Sequence, residues 1–191
     1  MKKFTKFLSL TFAVIFAVSV FTVKSEAAMS AAGQAHMRPL SENEVQLLYT
    51  IFEPEEYTKM YPDVKEVLGT DEMTLFNHFI TFGIWEQRQP CVAFNVDVYA
   101  TRNPDLHVEF GDDIVAYYRY YATHLNEQSF RPKPTKYDAL WNNCIIYSVY
   151  DFVEGQEQPR EGAVPVQTGN YHPDVFIYGE DPEEANKQFN P

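Results

Sequence analysis

The sequence predicts an all-α protein: a tandem repeat of three short helices per unit, with flanking helices and an extended C-terminal tail. Residues 52–88 align with residues 94–130 without a gap, at a constant offset of 42. Apolar residues within each stretch follow helical spacing, and prolines and glycines stand where helices begin and end. A repeat period of this size is typical of helical repeat architectures.

The identities between the two stretches fall at residues with special backbone or packing roles. The identical pairs are Phe52/Phe94, Tyr57/Tyr99, Pro62/Pro104, Asp63/Asp105, Gly69/Gly111, Asp71/Asp113 and Thr81/Thr123. We therefore interpret residues 52–88 as unit 1 and residues 94–130 as unit 2 of a duplicated element.

The first unit indicates how each helix forms. Pro54 fits the first turn of a helix, where its missing N–H costs nothing. Pro62 ends this helix and opens the next, and Gly69 suits the cap that follows. Thr70 or Asp71 is expected to cap a third helix. Its apolar face consists of Leu75, Phe76, Phe79 and Phe82. Such short helices are unstable alone, so they must pack on each other and on the neighbouring unit.

The first unit resembles a repeat of exported and cell-surface proteins of Gram-positive anaerobes, of the form YPDV/NPDL followed by HYxxYGIxEGR. The matching residues are Phe52, Tyr57, Pro62, Asp63, Gly69, His78, Phe79, Gly83, Glu86 and Arg88. Departures in the first unit are Glu53 for Asp and Gln87 for Gly. In the second unit Tyr120, Leu125, Gln128 and Phe130 stand in place of His, Gly, Glu and Arg. The resemblance implies an all-helical extracellular module and no known catalytic activity.

Three residues near the end of the first unit are expected to serve its structure. Arg88 lies two residues beyond Glu86 and can tie the closing turn to a neighbouring helix. His78 is expected to hydrogen-bond a carbonyl of the adjacent unit.

The chain ends differ in composition from the repeat. Residues 1–27 read as a signal peptide, with Lys2 and Lys3 before an apolar run and small residues at Ser25 and Ala27. The alternative is an uncleaved membrane anchor. We predict a mobile linker at 28–40, a helical repeat domain at 41–155, and an extended or disordered tail at 156–191.

Two flanking helices are expected. Ser41 and Glu44 have the spacing of a capping box, which predicts a helix from about residue 42 to 52. A second helix, capped by Asp138 and closed by Gly155, fits the spacing of Leu140, Trp141, Cys144, Ile145 and Ser148. The β-branched residues of that stretch permit a strand instead.

Charge limits the partners. Residues 1–27 hold four lysines and one glutamate, which leaves 11 basic and 26 acidic residues and a formal net charge of −15. Nucleic acids and anionic membranes attract cationic surfaces, so we expect neither as a partner, and membrane contact only through the signal peptide. The protein is expected to be secreted, or retained noncovalently at the cell surface.

The cysteines and histidines predict neither a cofactor nor a metal site. Cys91 and Cys144 form either a disulfide or two free thiols. The five histidines lack the spacing of a zinc site, and no calcium loop occurs.

The predicted function is a secreted, non-catalytic module that binds an extracellular protein or a cell-wall glycan. The tyrosines of the YYRYY stretch exceed what one buried helix face uses, so some are expected to point outward. Alternatively, their rings cover the neighbouring unit and only the hydroxyls reach water. The candidate binding residues are Tyr117, Tyr118, Arg119, Tyr120, Tyr121, Trp85 and Trp141. The alternative function is a small secreted hydrolase with an acidic cleft between the repeats and the Trp141 segment.

Overall fold

A computed structural model describes residues 29–169 of the chain, and it confirms the all-α class. The helices are α1 (Ala31–His36), α2 (Glu42–Thr50), α3 (Pro54–Met60), α4 (Pro62–Leu68), α5 (Glu72–His78), α6 (Val96–Arg102), α7 (Pro104–Phe110), α8 (Ile114–Thr123) and α9 (Lys136–Trp141). A π-helical turn (Phe79–Gly83) extends α5, and 3₁₀ turns span Leu125–Phe130 and Val149–Asp151. Within residues 29–169, strand pairing is limited to two isolated bridges.

The helices of the two units begin at matching positions. Each of α6, α7 and α8 starts 42 residues after its counterpart α3, α4 or α5. Gly69 and Gly111 follow α4 and α7 with φ of 75° and 53°, a region that favours glycine. The helix starts therefore agree with the predicted offset, while origin by duplication stays a prediction.

Proline and side-chain caps set these limits as the sequence indicates. Pro54 and Pro62 occupy the first turns of α3 and α4. Asp71, rather than Thr70, caps α5 by accepting a hydrogen bond from the Thr74 N–H at 2.9 Å. This bond satisfies one of the backbone donors that every helix N-terminus leaves without an intrahelical partner.

The leading helix α2 has the predicted capping box. Glu44 accepts a hydrogen bond from the Ser41 N–H at 2.7 Å, and the Ser41 hydroxyl accepts one from the Glu44 N–H. The guanidinium of Arg38 pairs with the same carboxylate and, together with the hydrogen bonds that the N–H and hydroxyl of Ser41 donate to it, lowers the pKa of Glu44 to about 2. The helix ends at Thr50, two residues earlier than expected.

The predicted mobile linker contains a packed helix. In α1, the backbone of Gly33 lies directly against the carbonyl of Trp85. The His36 ring stacks on Tyr150 at 4.9 Å, and its Nε2 lies 3.1 Å from a carboxylate oxygen of Asp112. These contacts correct the linker prediction, because small residues such as Gly33 permit a close helix approach that charge and hydropathy do not reveal.

Aromatic rings form one core that joins the two units. In unit 1, the ring of Phe52 packs on those of Tyr57, Phe76 and Phe79. The rings of unit 2 that pack on one another are Phe94, Tyr99, Tyr118 and Tyr121. Phe79 meets Tyr118 edge to face at 5.9 Å, and α2 packs against α8. Buried aromatic pairs of this kind add to the stability that area burial provides.

The predicted helix from Asp138 to Gly155 is wrong. Helix α9 begins earlier, capped by Thr135, and ends at Trp141. Asn143 then takes a positive φ of 52°, and the Cys144 N–H returns to the carbonyl of Ala139 at 2.8 Å. The chain continues extended, with an isolated bridge to residue 167, as the β-branched residues of this stretch permit.

The structure covers only part of the predicted C-terminal tail and none of the predicted signal peptide. Residues 156–169 contain no helix, and the rest of the predicted tail lies outside the described residues. The predicted signal peptide also lies outside them. None of the helices between residues 29 and 169 has the length and apolar character needed to cross a bilayer.

Candidate functional site

Most tyrosines of the YYRYY stretch are buried. Helix α8 lies between α2 and its own unit, and it buries the rings of Tyr117, Tyr118 and Tyr121. The hydroxyl of Tyr117 donates to the Gly111 carbonyl at 2.7 Å, and that of Tyr118 donates to the Arg88 carbonyl at 2.9 Å. Direct ligand contact by these three tyrosines is therefore a wrong prediction.

Tyr120 and Arg119 remain at the surface. Arg119 is exposed and Tyr120 is half-buried. The Tyr120 ring stacks on His124 at 4.0 Å, and its hydroxyl accepts a hydrogen bond from Arg131 and donates one to Glu127. Tyr120 thus belongs to a surface cluster that Arg131 holds in place.

The two tryptophans lie in opposite environments. Trp85 is buried in the turn after the π-helical segment, and its carbonyl accepts a hydrogen bond from the Tyr150 hydroxyl at 3.0 Å. Its prediction as a binding residue is wrong because the turn packs inward under α1. Trp141, at the end of α9, is 60% exposed, and its ring lies parallel to that of Tyr137.

Arg88 holds the closing turn of unit 1, as predicted. Its buried guanidinium pairs with Glu86 at 2.6 Å and with Asp63, in the first turn of α4, at 2.9 Å. The same group lies 4.6 Å from the centre of the Tyr61 ring. This network is structural, because paired charges around a buried arginine satisfy its donors and leave it little freedom.

Arg131 holds unit 2 in the same way, which the alignment missed. It pairs with Asp105 at 2.8 Å, donates to Asn103 and lies over the Tyr120 ring. Asp105 corresponds to Asp63, whereas the ungapped alignment places Phe130 opposite Arg88. A search one residue on either side of the expected position would have found Arg131.

His78 has a different partner from the one predicted. Its Nδ1 shares a hydrogen bond of 3.0 Å with the hydroxyl of Tyr57, in the same unit, rather than with a carbonyl of the adjacent unit. Burial lowers the pKa of His78 to about 4, and the positive charge of Arg88 acts in the same direction. The imidazole is therefore neutral at pH 7.

We expect His78 to make the fold sensitive to mild acid. Because its pKa is lower in the folded state than its ordinary value of 6.5, stability is fully present above that value and is lost as pH falls toward 4. The loss should reach about 3 kcal/mol at pH 4. Urea unfolding at several pH values measures it. His78→Gln keeps a hydrogen-bonding group without this titration, so equal pH profiles for both proteins would contradict the prediction.

The junction between unit 1 and the C-terminal segment contains a carboxylate with a shifted pKa. Asp97, in the first turn of α6, accepts hydrogen bonds from the Gln87 side chain at 2.6 Å and from the Val149 N–H at 2.8 Å. Burial raises the pKa of Asp97 to about 6, although the Val149 bond and the charge of Lys136 oppose the shift. Gln87 also donates to the Ser148 hydroxyl. The acidic cleft between the repeats and the Trp141 segment stays a prediction.

Gln87 stands where the repeat that unit 1 resembles has glycine. Its φ is 60°, a conformation that favours the glycine found at this position in the repeat. Glutamine accepts the same conformation here and gains the hydrogen bonds to Asp97 and Ser148.

Both cysteines are free thiols, which decides between the two predictions. Cys91 is buried, and burial raises its pKa to about 11. Cys144 is half-buried beside the end of α9. The thiol of Cys91 is therefore protonated and unreactive at neutral pH.

Exposed apolar side chains gather in the last third of the described chain. Phe130 is 91% exposed, the highest value among the large apolar residues. The others in this region are Leu125, Trp141, Ile145, Val153, Val164 and Val166. Phe130 ends the 3₁₀ turn, residues 131–135 continue in a non-helical conformation, and Lys136 begins α9; we call residues 130–136 the Phe130 strip. Sequence reasoning missed Phe130, because the alignment placed it at an arginine position inside a repeat.

Neither metal-binding clusters nor similar proteins point to a function for this chain. No cluster of three or more His, Cys, Asp or Glu side chains lies close enough to hold a metal ion among residues 29–169. No family model matches the chain, and no curated protein or solved structure shows significant similarity to it. The resemblance to the YPDV/NPDL repeat therefore stays a prediction.

Proposed function

We propose that the protein is a secreted, non-catalytic binding module for an extracellular protein or a cell-wall glycan, and that Phe130 and Trp141 contact the ligand. The observation that carries this proposal is the exposure of Phe130, 91% of whose surface faces solvent. Exposed aromatic side chains on a rigid body are typical of binding surfaces. The signal-peptide pattern of residues 1–27 supports a location outside the cell.

The two aromatic residues flank a segment that is fixed on the body. Arg131, next to Phe130, binds Asn103 and Asp105, and Asp138, one turn before Trp141, pairs with Arg102. Both anchors lie at the corner between α6 and α7. A surface held in this way loses little conformational entropy on binding, which favours affinity.

Binding assays on the mature chain, residues 28–191, test the proposal. Immobilised peptidoglycan, a glycan array and secreted protein fractions serve as candidate ligands. The double variant Phe130→Ala/Trp141→Ala should weaken binding about tenfold or more. Val67→Ala, at an exposed apolar residue of α4, is the control and should bind like the parent. Absence of any binding, or equal loss in both variants, would contradict the proposal.

The second candidate function is a small hydrolase, which the pKa of Asp97 favours. A carboxyl with a raised pKa near a second carboxylate, here Asp151, is a recognised feature of acid–base catalysts. Asp97 already holds Gln87 and the backbone of Val149, so a structural role accounts for its position. Hydrolysis of a wall polymer that Asp97→Asn abolishes without unfolding the protein would favour the enzyme.

A further inference from the structure

We propose that the Phe130 strip binds an anionic polysaccharide, with Lys133 and Lys136 pairing with its carboxylate or phosphate groups and Phe130 packing on the sugar faces. This inference rests on the proposed binding function and names the chemistry of the ligand. It depends on three observations. The strip carries positive charge, hydrogen bonds hold its backbone in place, and its prolines lack the N–H groups that a bound peptide strand would pair with.

The strip is the basic part of an acidic protein. Residues 119–136 contain four basic residues and one acidic residue, a formal net charge of +3, whereas the chain as a whole carries −12. The basic residues are Arg119, Arg131, Lys133 and Lys136. A polyanion is repelled by most of this protein, so the local positive charge selects where it can bind.

Arg131 in the strip and Arg102 beside it already form ion pairs with carboxylates, whereas the two lysines of the strip form none within the described residues. Arg131 pairs with Asp105, and Arg102 pairs with Asp138. Lys133 and Lys136 are exposed, and neither forms an ion pair with a carboxylate in the part of the chain that the structure describes. The charge of Lys136 acts on the buried Asp97, but neither ammonium group forms an ion pair within residues 29–169, so both are open to anions of a ligand.

Two adjacent backbone carbonyls anchor the strip to residues at the two ends of α6. The Pro134 carbonyl accepts a hydrogen bond from the Asn95 N–H at 2.7 Å, at the start of that helix. The Lys133 carbonyl accepts one from Arg102 at 3.2 Å, at its end. Phe130 and Lys136 thus flank a fixed stretch that contains Lys133, and a surface held in this way loses little conformational entropy on binding.

The same backbone disfavours a peptide ligand. A peptide usually joins an extended segment by main-chain hydrogen bonds. Pro132 and Pro134 have no N–H to donate, and the carbonyls of residues 133 and 134 already accept hydrogen bonds within the protein. Recognition must therefore proceed through side chains, as a charged polysaccharide allows.

Binding of defined polymers to the mature chain tests the inference. The probes are polygalacturonate for carboxylates, poly(glycerol phosphate) for phosphates, dextran as a neutral glycan and poly-glutamate as an anionic peptide. We expect binding of at least one of the first two, weaker at 0.5 M than at about 0.1 M salt because screening weakens exposed ion pairs. Which of the two polymers binds identifies the anionic group.

Matched variants locate the surface. Lys133→Gln/Lys136→Gln should weaken polymer binding about tenfold, and Phe130→Ala should weaken it by a similar factor. Lys59→Gln/Lys65→Gln removes the same charge from unit 1 and should change binding by less than about twofold. Equal effects of the two double variants, or equal binding of poly-glutamate, would overturn the inference.

One further outcome would separate the polysaccharide inference from the proposed binding function. Binding to dextran or to a protein that Phe130→Ala weakens, without any binding to the two anionic polymers, would overturn the polysaccharide inference. It would leave the proposed binding function intact.

Discussion

Replacing Arg88 by methionine is expected to destabilise the protein by about 3–4 kcal/mol. Methionine fills much of the same volume but leaves Glu86 and Asp63 without their cationic partner. The side chain of Glu86 is 11% exposed and that of Asp63 is 29% exposed, so water replaces the lost interactions incompletely. Urea unfolding followed by far-UV circular dichroism measures the change as a lower midpoint.

The second unit provides the matched control. Arg131 makes the corresponding pair with Asp105, whose side chain is 59% exposed. Because solvent screens exposed pairs, Arg131→Met should cost only about 1 kcal/mol. Equal losses for the two variants would show that burial does not set the strength of these networks.

Gly111→Ala is expected to destabilise the protein by about 3 kcal/mol, through two effects that act together. Its φ of 53° disfavours a side chain, which costs about 1–2 kcal/mol. In addition, an alanine Cβ would lie 2.5 Å from the backbone nitrogen of Glu154, which cannot move away as a side chain can. Overpacking of this kind adds about 1–3 kcal/mol.

Gly69→Ala separates the two effects. Gly69 has a similar φ of 75°, and no atom lies within 4 Å of the position of an added Cβ. This variant should therefore lose only the conformational part, about 1–2 kcal/mol. The difference between the two unfolding free energies reports how tightly the segment near Glu154 packs on unit 2. A difference near zero would contradict the predicted steric term.

Sequence reasoning worked best where the backbone chemistry of a single residue decides the structure. Pro62 and Gly69 fix the ends of α4, and the Ser41–Glu44 spacing fixes the start of α2. These signals are local, so they need no knowledge of the packing. The all-α class follows because such signals recur along most of the described chain.

The failures concern residues whose state depends on distant contacts. Helix α9 ends after Trp141 because residues 142–146 find other hydrogen bonds, and the spacing of apolar residues alone does not reveal these. Tyr117 and Tyr118 are buried because α8 packs on more than one side, whereas the sequence analysis allowed it one buried face. Tertiary packing overrides a pattern in both cases.

Arg131 escaped the alignment because the two units close differently. After α5, unit 1 continues through the π-helical turn Phe79–Gly83, whereas unit 2 passes through the 3₁₀ turn Leu125–Phe130. These turns advance the chain by different amounts per residue. The arginine that reaches the corresponding aspartate therefore stands one position later than an ungapped repeat places it.

The ring contact between Phe79 and Tyr118 has a consequence for cooperativity. Tyr118 also donates its hydroxyl hydrogen to the Arg88 carbonyl, so one side chain of the second unit closes both the core and the final turn of the first. Opening either half would expose aromatic surface of the other to water. We therefore expect the two halves to unfold in a single transition.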